Sequence, residues 1–297
     1  MPSWSALRAH NASTKLANAT FLVVGGTAGI GRATALKLAA MNASVSVAGR
    51  NAAAGSAIVT EMQKLNPDGK MEFLPIDMTL LADVRRFANE FAAAHSSLRG
   101  LVISAGFMSM NGRTETVEGI DQKLAVHYYS RQLLFKKLMS MLEASAASGQ
   151  DARLMSIFAS CLGNTVNFDD MDLKHTYSLK AAADAASGYN DLAVDALSKE
   201  HPTVPAIHIR PGMVGTGLID GFPFYLRLPA KALLSVAGTS PEDCAEAMVY
   251  ALTAPEYNKG WWLLNQKADI LKPNTKYHND ATRDKVWAHT EQLIAEK

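Results

Sequence analysis

The stretch Val23-Val24-Gly25-Gly26-Thr27-Ala28-Gly29-Ile30-Gly31-Arg32 constrains this chain more than any other. An apolar run, residues 21–24, stops at two glycines. Gly29 and Gly31 follow, and an alanine-rich amphipathic run occupies 33–40. That order predicts a strand, a tight turn and a helix. Glycines permit the sharp turn and let backbone approach a ligand closely. The helix N-terminus adds free N–H groups and the positive end of the helix dipole. A diphosphate fits such a mouth, so the segment predicts a bound dinucleotide. The spacing from Gly25 is G-x3-G-x-G, not the common G-x-G-x-x-G; the strand before it and the helix after it carry the reading.

The alternation continues along the chain. Strands are expected over 20–24, 43–48, 71–76, 101–104, 153–158, 204–209 and 261–265. Helices are expected over 30–41, 52–65, 81–95, 177–199 and 240–252, with one long helix over 116–144 in which Gly119 marks the place for a break. Strands separated by helix-length segments imply right-handed crossovers and a parallel sheet covered on both faces. A hydrophobic content of 48% against 19% charged residues supports a sizeable core. One domain spanning 1–297 is the economical reading. Lys+Arg 29 against Asp+Glu 28 gives no basic face, so no nucleic-acid partner is expected. Cys161 and Cys244 are the only cysteines. They make neither a disulfide framework nor zinc spacing, so no metal is expected and a reducing, cytoplasmic setting follows. The sequence shows no signal peptide and no run long enough for a membrane span.

In such sheets ligands sit beyond the carboxyl ends of the strands. The residues there are Gly25, Gly49-Arg50-Asn51, Asp77, Ser104-Ala105-Gly106, Ala159-Ser160 and Pro211-Gly212. This set resembles the short-chain dehydrogenase/reductase family over roughly residues 20–265. The resemblance implies a Rossmann-type α/β fold, a doubly wound parallel sheet with helices on both faces. The turn Gly25, Thr27, Gly29, Ile30 and Gly31 is similar to the family's T-G-x3-G-x-G, with Gly25 in place of threonine. Asp77, followed by Met78, looks like the residue that bonds the adenine ring. Ser104-Ala105-Gly106 looks like the N-A-G step along the adenosine. Pro211-Gly212, Val214 and Thr216 look like the P-G-x-V-x-T segment that holds the nicotinamide carboxamide. The texture of Val126-His127-Tyr128-Tyr129 and of residues 177–184 is similar to filamentous-fungal members tied to secondary metabolism. A homodimer or tetramer is what the resemblance implies.

Cofactor choice has a physical handle. An acidic residue after the second strand would bind a ribose 2′-hydroxyl and repel a 2′-phosphate. Here Arg50 and Asn51 stand instead, and Arg32 lies beside the turn. Either arginine could pair with a phosphate, so NADP(H) is expected.

The family's chemistry, as the resemblance implies it, uses a phenol to pass a proton, a lysine to lower the phenol's pKa, a serine to anchor the substrate oxygen and an asparagine in a relay. Tyr177 and Lys180 are the near match, three apart instead of four, with Ser160 as the serine and His127 in the asparagine's place. The register is irregular. Counting back from Arg210-Pro211 puts the family pair near Leu179 and Ala183, and a gapless reading puts Ala159 at the serine position. Residues 216–240 are rich in aromatic and large aliphatic side chains and read as a lid over an apolar substrate.

Three readings follow: an NADP(H)-dependent oxidoreductase acting on a hydrophobic carbonyl or alcohol, the same fold doing non-redox chemistry such as cyclisation, isomerisation or dehydration, and a silent dinucleotide-binding protein.

Overall fold

A computed structural model describes residues 3–215 and 238–297. Thr216 and nearly all of the expected lid fall outside them. Seven described strands form one parallel sheet. They are β1 (Thr20–Val24), β2 (Ser44–Gly49), β3 (Met71–Pro75), β4 (Gly100–Ile103), β5 (Arg153–Ile157), β6 (Ala206–Ile209) and β7 (Trp261–Leu264). Their order is β3-β2-β1-β4-β5-β6-β7, with β1 paired to both β2 and β4. The strand order therefore reverses between β1 and β4, and a crevice opens there at the carboxyl ends.

The helices are α1 (Trp4–Ser13), α2 (Gly29–Ala40), α3 (Ala52–Leu65), α4 (Leu81–Ala94), a short α5 (Gln122–Leu124), α6 (Ser130–Ala147), α7 (Leu179–Glu200), α8 (Pro241–Thr253) and α9 (Asp280–Glu296). Strand β1 is apolar on both faces. Leu22 and Val24 join the core beneath α4, α6 and α7, while Phe21 and Val23 join the core beneath α2, α3 and α8. That is why the strand reads as a continuous apolar run and not as an alternation.

Two expected helices are corrected. The helix over 116–144 is broken, at the Gly119 position where the sequence allowed a break. Gly119 sits at φ +77, the Thr116 amide bonds the Ile120 carbonyl, and helix begins only at Gln122. Asp121 caps it, accepting from the Lys123 and Leu124 amides. A π-turn, Ala125–Tyr129, then leads into α6. Helix α7 starts at Leu179, because the Ser178 side chain caps it through the Ala181 amide at 3.0 Å. Tyr177 thus precedes the helix and shares no helical face with Lys180.

Both terminal helices lie outside the elements expected from sequence. Helix α1 docks on α8, where Asn11 Nδ2 donates to the Glu246 carbonyl at 2.9 Å. Helix α9 lies against α7. The Tyr128 and Thr290 hydroxyls meet at 2.6 Å, and Trp287 Nε1 donates to Glu200 at 2.5 Å. No described helix is long and apolar enough to cross a membrane.

Candidate active site

A cavity of about 1100 Å³ lies along the carboxyl ends of the strands. Its first wall is the turn after β1. Gly25 has φ +82, and a Cβ there would stand 2.5 Å from the Ala105 amide nitrogen. A Cβ on Gly31 would strike the Gly25 carbonyl. Only glycine lets the turn, α2 and the loop after β4 approach this closely.

Helix α2 is unusual in how it begins. No side chain caps it, and its first intrahelical bond runs from the Arg32 amide to the Ala28 carbonyl. Among the described residues, the amides of Gly29, Ile30 and Gly31 have no acceptor. The other long helices start differently. Ser3, Asn51, Ser178, Ser240 and Asn279 cap α1, α3, α7, α8 and α9. Glu118 accepts from the first amides of α4, and α6 continues from the π-turn. Helix α2 keeps its donors for an anion. The diphosphate of a dinucleotide fits this turn.

The remaining expected cofactor residues divide. Thr27, Gly29, Ile30, Arg50, Asn51, Asp77, Met78, Ser104, Ala105, Gly106, Pro211 and Gly212 line the cavity beside Gly25. Arg50 is exposed and in no ion pair among the described residues. Arg32 does not line the cavity; it pairs with Glu61 at 2.5 Å. Gly31 supports the turn from behind. Val214 lies off the cavity, in a bridge with Thr239. One oxygen of Asp77 is taken by the Thr79 amide and hydroxyl, each at 2.9 Å.

At the other end of the cleft the expected catalytic set does not assemble. Ser160 is buried and turned away, its Oγ 3.4 Å from Asp191 Oδ1, while Ala159 lines the cavity. Lys180 is exposed and pairs with Asp184 at 2.6 Å. The Tyr177 hydroxyl is buried without a described partner, and the residue does not line the cavity. Leu179 and Ala183 do line it. The missing helix register explains this: a serine one residue past Ala159 and a tyrosine ahead of the Ser178 cap point elsewhere.

His127 is the one expected catalytic residue at the cleft. It sits in the π-turn and its carbonyl accepts from Asn190 Nδ2 at 2.8 Å. Its ring stacks on Phe158, centroids 4.8 Å apart, and Nε2 accepts the Phe107 amide at 3.2 Å. That bond leaves the ring proton on Nδ1. Burial, with the charges of Arg131 and Lys123, holds its pKa down at about 3. The ring is therefore neutral in ordinary buffers, a donor and not a general acid.

The described shape matches known folds, and the sequence comparisons decide the family. The family described as short chain dehydrogenase matches residues 19–168. Oxidoreductase AN1596 of Emericella nidulans is 32% identical, with 99% of this chain and 98% of that one covered. The chain belongs to the short-chain dehydrogenase/reductase family. Polyprenol dehydrogenase of Mus musculus is 35% identical over 90% of this chain and 81% of its own. A 3-ketoacyl-(acyl-carrier-protein) reductase from Brucella melitensis, complexed with NADH, superposes with a TM-score of 0.64 at 19% identity, covering 84% and 97% of the two chains.

Within this short-chain dehydrogenase/reductase, two buried cleft cations escaped the sequence reading. Arg131 is 1% exposed and Lys123 8%. Arg131 donates to the Ala105 carbonyl at 2.6 Å, to Ser156 Oγ at 2.7 Å and to the Ile157 carbonyl at 2.9 Å. Burial pulls its pKa down to about 9. A signal was available: a lone arginine three residues before Leu134 and seven before Leu138 sits on the buried face of a helical repeat. Asp191 was missed too. Fully buried, it accepts from Tyr277 Oη at 2.5 Å, His208 Nδ1 at 2.6 Å and the Cys161 amide at 3.0 Å. It anchors the loop after β5 against the C-terminal segment.

Proposed function

We propose that this protein is an NADP(H)-dependent oxidoreductase acting on an apolar alcohol or carbonyl. The observation that carries the reading is the pairing, in one cleft, of uncapped α2 amides with an Arg50 that has no acidic partner among the described residues. The amides suit the diphosphate, and Arg50 suits a 2′-phosphate through charge-assisted bonds. Bound NADP(H) supplies or accepts the hydride. The protein's own groups orient the substrate: His127 Nδ1–H donates to its oxygen, the charges of Lys123 and Arg131 favour negative charge developing there, and the oxygen's proton is exchanged with solvent at the open cleft mouth. Phe107, Phe158 and Leu179 give the reacting end an apolar wall. Relatives that include a polyprenol dehydrogenase fit an apolar substrate, and those from filamentous fungi fit a place in secondary metabolism. A cytoplasmic setting and a homo-oligomer belong to the same reading.

A second reading is favoured by Ala159, Leu179 and Ala183 at the cleft. None of these side chains can pass the proton that carbonyl reduction requires. One experiment separates the two. Purified protein is given NADPH and a panel of hydrophobic ketones, and absorbance at the reduced-nicotinamide band is followed. Oxidation coupled to product supports the first reading. Product without a change in cofactor oxidation state selects the second.

A further inference from the structure

Lys123 and Arg131 are buried cations, and neither has a carboxylate within ion-pairing distance among the described residues. Arg131 spends its donors on neutral acceptors alone: three carbonyls and one hydroxyl. Lys123 Nζ donates to the Asn111 carbonyl at 2.9 Å and the Gly112 carbonyl at 3.2 Å, which leaves one of its three hydrogens without a described acceptor. The Tyr177 ring lies 5.6 Å from that ammonium. A buried charge without a counter-ion is costly, and an anion that enters the cleft removes the cost.

The dinucleotide does not answer this need at Lys123. Its expected anchors, the α2 amides and Arg50, follow β1 and β2. Lys123 bonds the segment after β4 and lies beside Tyr177, before α7. The sheet order puts β2 on one side of the β1–β4 crevice and the β4 and β5 loops on the other. Asp77, the cleft's acidic residue among those described, follows β3 on the far side. The same cavity carries apolar walls. Met108, Met110, Leu162 and Met213 line the cavity and stay about half exposed. Half-exposed apolar side chains lining one cavity mark a binding surface, and methionines adapt to flexible chains.

We infer that the substrate is an amphipathic anion, with a carboxylate or phosphate head at Lys123 and an apolar body along Met108, Met110, Leu162 and Met213. This deepens the oxidoreductase reading and rests on the same cleft. The test measures binding of decanoate, decyl phosphate and decan-1-ol by calorimetry, with and without saturating NADPH. Both anions are expected to bind at least about tenfold more tightly than the alcohol, the strength of a charge-assisted bond in a dry site. The two anions differ in geometry, and the tighter one names the head group. Lys123→Met should abolish the preference while leaving decan-1-ol binding in place, and Lys123→Arg should retain it. Melting temperature of each variant checks that the fold persists. Equal binding of anions and alcohol by the parent protein overturns the inference, as does a preference that survives Lys123→Met. Cofactor binding is read separately: absence of NADPH heat sinks the oxidoreductase reading, while anion preference in the same protein still upholds this one.

Discussion

The Phe107 amide donates to His127 Nε2, and this single bond decides the tautomer of the ring at the reacting end of the cleft. The proton left on Nδ1 is a donor without a described partner. Because burial and two neighbouring cations hold the ring neutral down to about pH 3, protonation does not switch it near neutrality. The consequence for stability has a definite sign. Unfolded, the ring binds a proton below its ordinary 6.5; folded, it does not until about 3. Stability from this group is whole above pH 6.5 and is lost as pH falls through that window. Urea midpoints measured from pH 7 to pH 4 should fall, and His127→Asn should flatten the slope by up to about 1 kcal/mol per pH unit.

Arg50→Ala should erase coenzyme preference. The guanidinium is exposed at the cleft and has no acidic partner among the described residues, so its removal costs little fold stability. Dissociation constants for NADPH should rise by about ten- to hundredfold while those for NADH stay put, the size of a lost charge-assisted contact. Titration of both coenzymes by fluorescence checks this, and an unchanged ratio would contradict it.

Tyr177→Phe and Lys180→Ala should leave turnover within about twofold of the parent, since neither side chain reaches the cleft. The converse experiment installs what the cleft lacks. Ala159→Ser, Leu179→Tyr and Ala183→Lys together put a hydroxyl, a phenol and an ammonium at cavity-lining positions, the last two four residues apart on α7. NADPH oxidation with apolar ketones should rise by about tenfold or more, as general acid catalysis contributes at least that. Steady-state kinetics on the triple variant decides.

Asp191→Ala should destabilise the protein by about 3 kcal/mol or more. It strips the acceptor from Tyr277 Oη, His208 Nδ1 and the Cys161 amide, all inside the protein, and each orphaned buried donor costs about 1–3 kcal/mol. Urea denaturation measures the loss. Asp191→Asn, which keeps one oxygen acceptor, should lose less.

The glycine turn and the strand ends that line the cleft were legible because their signals are local. Gly25 to Gly31 announce a turn through backbone requirements that hold wherever the segment sits, and strand ends such as Arg50, Asp77 and Ser104 follow from the alternation of strand and helix. The long helix over 116–144 was not legible in the same way. Gly119 can be tolerated inside a helix or can end one, and only the Asp121 cap selected the second.

By itself the sequence determined an α/β crossover fold, its parallel sheet and the amide mouth of α2, because glycine geometry and apolar periodicity act over a few residues. Tertiary structure decided the reacting end. It placed Ala159, Leu179 and Ala183 at the cleft and turned Ser160, Tyr177 and Lys180 away. It also brought Lys123 and Arg131 to His127 without an acid among the described residues to balance them. A one-residue shift reverses a strand's side and rotates a helix's face, so which of two neighbouring side chains meets the substrate depends on where caps and packing lock the register.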